Sequence, residues 1–145
     1  MSSAWVYRRR GRYYIGPYSD TPSLTIMGPS PYIACEANDV GRAVVHVLAT
    51  APAEQLSFDE ARSAAEERLL ELANTAGVKA WRTFERGARL VEVDELDNGE
   101  VVATPTFRVR GYREPTPERT WIRLRRPSTE ELGQAVLDAL ERARA

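Results

Sequence analysis

The side chains best suited to nucleophilic or general-base chemistry in this sequence are Cys35 and His46, each the single residue of its type. A catalytic histidine needs a proton within hydrogen-bond reach, and no serine or cysteine nucleophile accompanies His46 in the sequence. Glu36 directly follows Cys35 and disfavours its reactive thiolate. A structural zinc site needs four Cys or His ligands, which two residues cannot supply. We therefore expect no catalytic residue, no metal site and no cofactor.

The arginine-rich segment RRRGRYY at residues 8–14 suggests a different chemistry, because arginine and aromatic rings together suit single-stranded nucleic acids. Along an alternating strand, however, Arg8 and Arg10 lie on one face and Arg9 on the other, which divides the charge. The formal net charge of −1 also argues against a dedicated nucleic-acid binder. We expect no direct nucleic-acid contact. A small nucleic-acid-binding or regulatory module that uses these arginines is the alternative interpretation.

Several short segments rich in aromatic and β-branched residues predict strands. The segment from Trp5 to Tyr18 predicts two strands around a turn at Gly11, and the pair Asn98-Gly99 predicts a later hairpin. The predicted strands cover residues 4–10, 12–18, 24–27, 32–35, 88–96, 100–107 and 120–126. Residues 108–118 are rich in Arg, Pro and Glu, and they predict a loop.

Three segments predict helices. The first covers residues 39–49, with Asn38 as its N-cap. The second begins after Ser57, which forms a capping box with Glu60, and another capping box precedes the last helix at residues 129–143. Together with the strands, these helices predict an α+β fold, in which a mixed or antiparallel sheet packs against three helices in a single domain of residues 1–145.

The first and last helices share a local pattern, VGRAV at residues 40–44 and LGQAV at residues 132–136. Glycine inside a helix costs about 1 kcal/mol relative to alanine. Its presence at the same place in both segments therefore suggests that each helix approaches a neighbouring backbone closely. Coincidence in a chain rich in Ala and Val is the alternative.

The segment from Leu72 to Val93, LANTAGVKAWRTFERGARLVEV, joins a helix end, a corner and a strand. Gly77 suits the left-handed conformation of a helix C-cap, and the spacing of Trp81 and Phe84 places both on the core side. This order closely resembles the CdiI-type immunity proteins of contact-dependent growth inhibition systems. The resemblance extends over residues 5–140 and includes RRxGxYYI, NDVGRAV, TPT and STEELGQAV.

The resemblance implies a cytoplasmic protein that binds the C-terminal toxin domain of a cognate effector, delivered by a neighbouring bacterium, and blocks it without chemistry of its own. Such toxins are often nucleases. The N-terminus turns basic after a short apolar run, which is the reverse of a signal peptide. No segment approaches the ~20 apolar residues needed to cross a bilayer, so we expect no membrane partner.

A nuclease toxin implies a basic cleft, and an acidic patch on this chain would complement it. Glu92 and Asp94 share one strand face by their spacing of two, and we expect both to be exposed. Asp97 and Glu100 flank the turn beside them. An ordinary exposed hairpin face is the alternative interpretation, since charged side chains also protect the edge of a sheet from aggregation. The second candidate contact surface consists of Arg110, Tyr112 and Arg113.

Overall fold

The alternating segments of the sequence form strands whose pairings are all antiparallel among the residues that the structure describes. The structure is a computed structural model that describes residues 2–20, 25–27, 32–50 and 57–145. Its strands are β1 Ser2–Arg9, β2 Arg12–Asp20, β3 Thr25–Met27, β4 Ile33–Cys35, β5 Arg89–Glu95, β6 Glu100–Val109, β7 Tyr112–Pro115 and β8 Ile122–Arg125. Its α-helices are α1 Val40–Thr50, α2 Phe58–Thr75, α3 Trp81–Arg86 and α4 Thr129–Arg142.

The eight strands form one sheet with the order β3-β2-β1-β5-β6-β7. The outer edge of β2 is shared, because its first half pairs with β4 and its last residues pair with β3. The outer edge of β6 is shared in the same way by β8 and β7. The predicted α+β fold with an antiparallel sheet is therefore confirmed, and the fourth helix is the short α3.

Both faces of the sheet carry a hydrophobic cluster. On the first face, α1 and α4 cover residues such as Val6, Ile15 and Val91, all fully buried. On the second face, the end of α2 and all of α3 cover an aromatic cluster that includes Trp5 and Phe84. The central strands β1 and β5 are consequently covered on both faces. A polar side chain on either face therefore needs a hydrogen-bond partner within the protein.

Helices α1 and α4 cross at the two predicted glycines, and the expected close approach is confirmed. A Cβ on Gly41 would overlap the backbone oxygen of Thr129 and lie 3.2 Å from the Cα of Gly133. A Cβ on Gly133 would lie 3.1 Å from the Cα of Gly41. Glycine at both positions therefore allows backbone-to-backbone contact, which seats both helices on the same face of the sheet.

The corner between α2 and β5 follows the predicted pattern. Gly77 adopts a φ of +82° after the end of α2, as a left-handed C-cap requires. Phe84 is fully buried, and Trp81 is partly buried and stacks on it with ring centroids 5.1 Å apart. Tyr7 meets both rings edge to face. The corner thus anchors α3 to the aromatic cluster of the second face.

Several local predictions are confirmed. Ser128 and Glu131 form the complete predicted capping box. At Ser57 one of the two capping-box bonds is present, from the backbone N–H of Glu60 to the Ser57 hydroxyl. The turn before β6 has Gly99 at φ +86° and a hydrogen bond from Gly99 N–H to the Leu96 oxygen. Leu24, placed in the third predicted strand, lies outside the described residues.

Two local predictions are wrong. Residues 108–118 are not a single loop, since β6 continues to Val109 and β7 pairs with it through a two-residue turn of Arg110 and Gly111. Pro115 is tolerated because it ends this edge strand, where a missing N–H costs no ladder bond. Asn38 is not an N-cap, because a 3-10 helix at Ala37–Asp39 leads directly into α1.

We predict that Gly41→Ala destabilises the protein by about 1–3 kcal/mol, the usual cost of overpacking, although alanine is the better helix former. The added methyl group must displace the first turn of α4 at Thr129. Urea denaturation measures the change. His46→Ala, at an exposed position of the same helix, is the control and stays within about 0.5 kcal/mol of wild type. A higher unfolding midpoint for Gly41→Ala contradicts the crossing.

Candidate functional site

The predicted acidic patch is less accessible than its sequence suggests. Glu92 and Asp94 do share one face of β5, but both are only partly exposed, so the expectation of exposure is wrong. Glu92 accepts a hydrogen bond from the Tyr18 hydroxyl at 3.2 Å, and Asp94 accepts one from the Ser3 hydroxyl at 2.6 Å. The reason is that this face of β5 belongs to the second covered face of the sheet.

Burial also changes the ionisation of this region. Desolvation raises the pKa of Glu92 above its ordinary value of 4.5, and the nearby charge of Asp94 adds to the rise, while the Tyr18 hydrogen bond opposes it. Burial and the neighbouring Glu92 raise the pKa of Tyr18 well above its ordinary value. Glu92 and Tyr18 therefore form a partly buried polar pair on the second face of the sheet.

The two acidic residues at the β5–β6 turn differ from each other. Asp97 is exposed in the turn. Glu100 is partly buried and accepts a hydrogen bond from Arg123 at 2.8 Å, and the same guanidinium reaches Glu118 at 2.9 Å. The charge of Glu100 is thus offset within the protein. Of the four predicted acidic contacts, Asp97 is the exposed one.

The second predicted surface is more open, at the turn between β6 and β7. Tyr112 is 75% exposed, the largest exposure among the large hydrophobic side chains of the described residues. Arg110 is exposed in the turn at φ +51°, followed by Gly111 at φ +86°. Two successive positive φ values form a tight hairpin turn, which places Arg110 in the turn and Tyr112 at the start of β7.

Arg113, the third residue predicted on this surface, instead lies inside the protein with a side chain only 10% exposed. Its Nε donates to Glu85 Oε1 at 3.2 Å, and its Nη2 donates to the backbone oxygens of Glu85 and Ala88. Its Nη1 donates to the Arg144 oxygen at 2.8 Å. Arg113 therefore ties β7 to α3 and to the C-terminal residues rather than facing a partner.

Glu85 is the centre of this buried network. Besides Arg113, its carboxylate accepts a hydrogen bond from the Tyr7 hydroxyl at 3.1 Å, and the Arg108 guanidinium lies 3.7 Å away. Burial and the Glu85 charge together raise the pKa of Tyr7 well above its ordinary value. One carboxylate from α3 thus joins side chains of β1, β6 and β7, which fixes the helix on the sheet.

A pocket of about 410 Å³ opens between α3 and the β6–β7 turn. Its lining residues are Trp81, Arg82, Glu85, Arg86, Arg108, Arg110 and Gly111. Arg82, Arg86 and Arg108 were not predicted from the sequence as site residues. The spacing of four places Arg82 and Arg86 on one face of α3, and this much could be predicted from the sequence. Their approach to Arg110 could not, because it depends on the β6–β7 hairpin.

The N-terminal arginines are largely committed to contacts within the chain. Arg8 pairs with Glu141 at 2.6 Å on the first face, and Arg12 lies 3.4 Å from Glu36. Arg9 is 8% exposed, on the opposite face from Arg8, and its Nε has no hydrogen-bond partner among the described residues. Arg10 is exposed in the β1–β2 turn. The predicted division of the charge between Arg8 and Arg9 is confirmed.

The remaining candidates for chemistry lie apart from these surfaces. His46 is exposed on α1, and Cys35 is a partly buried free thiol on β4. Burial raises the pKa of Cys35 above its ordinary value of 9.0, and the Asp39 charge adds to the rise. Within the described ranges, no group of three or more His, Cys, Asp or Glu side chains is placed to hold a metal ion.

No protein-family model and no curated protein matches this sequence. Solved structures share its fold, among them the following two. A protein of unknown function from Neisseria meningitidis superposes with a TM-score of 0.84 and 18% identity, over 99% of this chain and 95% of that one. A CdiA-CT/CdiI toxin and immunity complex from Yersinia pseudotuberculosis contains a chain that superposes with a TM-score of 0.82 and 15% identity, over 98% of this chain and 97% of that one.

Among the helices that the structure describes, none combines the length and apolarity needed to span a membrane.

We predict that Arg113→Ala destabilises the protein by about 3–5 kcal/mol, because it leaves the buried Glu85 carboxylate without its closest positive partner. Arg113→Lys recovers only part of this loss, since an ammonium cannot bond the carboxylate and two carbonyls in one plane. Urea denaturation gives both values. Arg119→Ala removes an exposed arginine as a control. An unfolding free energy for Arg113→Ala within about 0.5 kcal/mol of wild type refutes the structural role.

Glu92→Gln gives a prediction that depends on pH. The raised pKa means that the folded state holds this proton more tightly than the unfolded state, so stability falls as pH rises from 4.5 through the folded-state pKa. Glutamine does not ionise, and it can still accept the Tyr18 hydrogen bond. The variant therefore gains stability relative to wild type between acidic and neutral pH. Urea denaturation at acidic and at neutral pH measures the difference in unfolding free energy between the variant and wild type, with the exposed Glu95→Gln as control. A difference that does not change with pH contradicts the burial effect.

Proposed function

We propose that this chain is an immunity protein that binds and neutralises the C-terminal toxin domain of a contact-dependent growth inhibition effector. The observation that supports the proposal most strongly is the fold shared with a chain of the CdiA-CT/CdiI toxin and immunity complex, over 98% of this sequence. The resemblance of the Leu72 to Val93 segment to the same family gives separate support from sequence. Such a protein acts by binding and carries out no reaction itself.

The contact surface proposed here is the β6–β7 turn, with Arg110 and Tyr112 as its centre. Tyrosine and arginine are the residue types that most often dominate binding energy at protein interfaces. A short hairpin turn presents both without large rearrangement, and the internal bonds of Arg113 hold the turn in place. A preorganised contact loses less conformational freedom on association. Tyr112 and Arg110 therefore have the chemistry and the rigidity expected of contact residues.

The acidic surface predicted from sequence receives less support from the side-chain arrangement. Reversal of Glu92 to Lys would place an ammonium in a partly buried site, so it would disturb the fold as well as any contact. A basic contact surface at Arg110 also suits a different part of the partner. For a nuclease toxin, the phosphate-binding cleft is basic, so the β6–β7 turn would bind an acidic region of the toxin outside that cleft.

The alternative function, a nucleic-acid-binding or regulatory module that uses the first two strands, has weaker support. Arg8 and Arg12 are paired with glutamates, and Arg9 is buried. These three side chains are not arranged along an open surface that could follow a phosphate backbone, as single-strand binders require.

Co-expression tests the proposed function. The gene of an immunity protein is expected directly after that of a large exported effector, whose C-terminal domain is the toxin to use. Induction of that domain alone should stop growth, and co-expression of this chain should restore growth and give a complex that co-purifies. Full toxicity in the presence of the folded chain, without co-purification, would overturn the proposal.

Tyr112→Ala should weaken toxin binding by about 2 kcal/mol or more, as truncation of a central aromatic contact does. The free chain should keep its unfolding midpoint, because Tyr112 is 75% exposed. Leu70→Ala is the matched control, since Leu70 is a 51% exposed apolar residue on α2. Titration calorimetry with the purified toxin domain measures both affinities. Equal affinities for the two variants would place the contact elsewhere.

A further inference from the structure

Two turns of the sheet bring arginines that are distant in sequence to the same end of the molecule. Strands β1 and β6 both pair antiparallel with β5, so they run in the same direction and end at the same side. The β1–β2 turn contains Arg10 and Gly11, and the β6–β7 turn contains Arg110 and Gly111, all at positive φ. Helix α3 leads into β5 at this end and adds Arg82 and Arg86, both exposed.

The pocket at this end has an excess of positive charge. Four arginines line it together with one carboxylate, that of Glu85. This carboxylate is already bonded by Arg113 and Tyr7, with Arg108 at 3.7 Å. It is therefore neutralised from the protein side and leaves the guanidinium groups of Arg82, Arg86 and Arg110 without an offsetting acid in the pocket lining.

Arg9 adds to the positive potential beside this pocket. Its Nε would lie 3.4 Å from a Cβ on Gly87, the residue that follows Arg86. Arg9 is more than nine-tenths buried, and this Nε has no hydrogen-bond partner among the described residues. A largely buried guanidinium whose Nε has no hydrogen-bond partner among the described residues favours a negative group nearby, because burial weakens the screening of its charge by water.

We propose that this pocket binds a carboxylate side chain from an acidic segment of a partner protein. The guanidinium forks of Arg86 and Arg110 would bond the two carboxylate oxygens, and Trp81 would contact the aliphatic part of the side chain. The identification of the partner as the toxin rests on the proposed function, whereas the chemistry of the pocket does not.

The surroundings favour a protein carboxylate over a nucleic-acid backbone. A volume of about 410 Å³ accommodates one or two side chains, which suits a single carboxylate better than an extended nucleic-acid backbone. Arg12 lies beside Arg9 across the β1–β2 pair and is bonded to Glu36, which offsets the positive charge on that side of the pocket. The adjacent Tyr112 and Arg110 are typical of a protein interface.

Titration with short poly-L-glutamate at low salt tests the pocket on the intact chain, with oligothymidine as the nucleic-acid comparison. The test variant is Arg86→Gln with Arg110→Asn, since asparagine tolerates the positive φ of position 110. The charge-matched control is Arg62→Gln with Arg119→Gln, two exposed arginines outside the pocket. Circular dichroism and the urea midpoint establish that both double variants are folded.

Poly-L-glutamate should bind wild type, and the pocket variant should bind it at least about tenfold more weakly, equal to about 1.4 kcal/mol. The control should change affinity by at most about twofold, as exposed charges do. Equal losses in both variants, or no binding to wild type, would overturn the pocket. Tighter, pocket-dependent binding of oligothymidine would overturn the carboxylate assignment.

The co-expression assay separates this inference from the proposed function. If the pocket variant no longer binds poly-L-glutamate but still neutralises the toxin fully, the pocket is not the toxin contact. In that case only the identification of the toxin as the partner of the pocket fails. If wild type binds poly-L-glutamate through the pocket but does not neutralise the toxin, the proposed function fails and the carboxylate site stands.

Discussion

The buried carboxylate of Glu85 fixes the arrangement on which the candidate site depends. It lies on a six-residue helix that is too short to be stable alone. Its partners come from three strands, through the Tyr7 hydroxyl and the guanidinium groups of Arg108 and Arg113. A buried ion pair gives little net stability, but loss of one partner is costly. The main effect of the network is therefore to hold α3 and the β6–β7 turn in one position on the sheet.

This constraint connects the fold with its proposed use. Arg113, which bonds Glu85, also donates to the backbone oxygens of Ala88 and Arg144. It therefore connects the turn, the helix and the last residues of the chain. Arg110 and Tyr112 are then held at this end of the sheet, and Arg82 and Arg86 line the same pocket as Arg110. Positive charge gathered at one end of a chain with a net charge of −1 can orient an acidic partner during encounter.

Local sequence signals predicted much of the fold. The capping residues Ser57 and Ser128, the C-cap Gly77 and the hairpin at Gly99 depend on neighbours within a few residues, and each has the expected conformation. The close approach of a neighbouring backbone at Gly41 and Gly133 was also predicted, because glycine in a helix requires compensation elsewhere, but the contact of the two glycines with each other was not. These signals need no knowledge of which strands pair.

The errors concern features that depend on tertiary pairing. Strand β7 forms only because β6 offers it an edge, and its own sequence, YREP, carries little strand preference. Glu92 alternates with buried valines as an exposed residue does, but α2 and α3 cover the opposite face as well. Arg113 has the composition of a contact residue and is instead internal, since its partners at Glu85 and Ala88 are 25 or more positions away in sequence.

Hydrogen–deuterium exchange of the chain, free and bound to the toxin domain, tests most directly the claim that the partner binds at the arginine-rich end. Binding at this end should slow exchange in residues 81–87 and 108–113 and leave the β5–β6 turn at residues 96–100 unchanged. Slower exchange at residues 96–100, with residues 108–113 unchanged, would contradict it and would place the contact at the acidic hairpin instead.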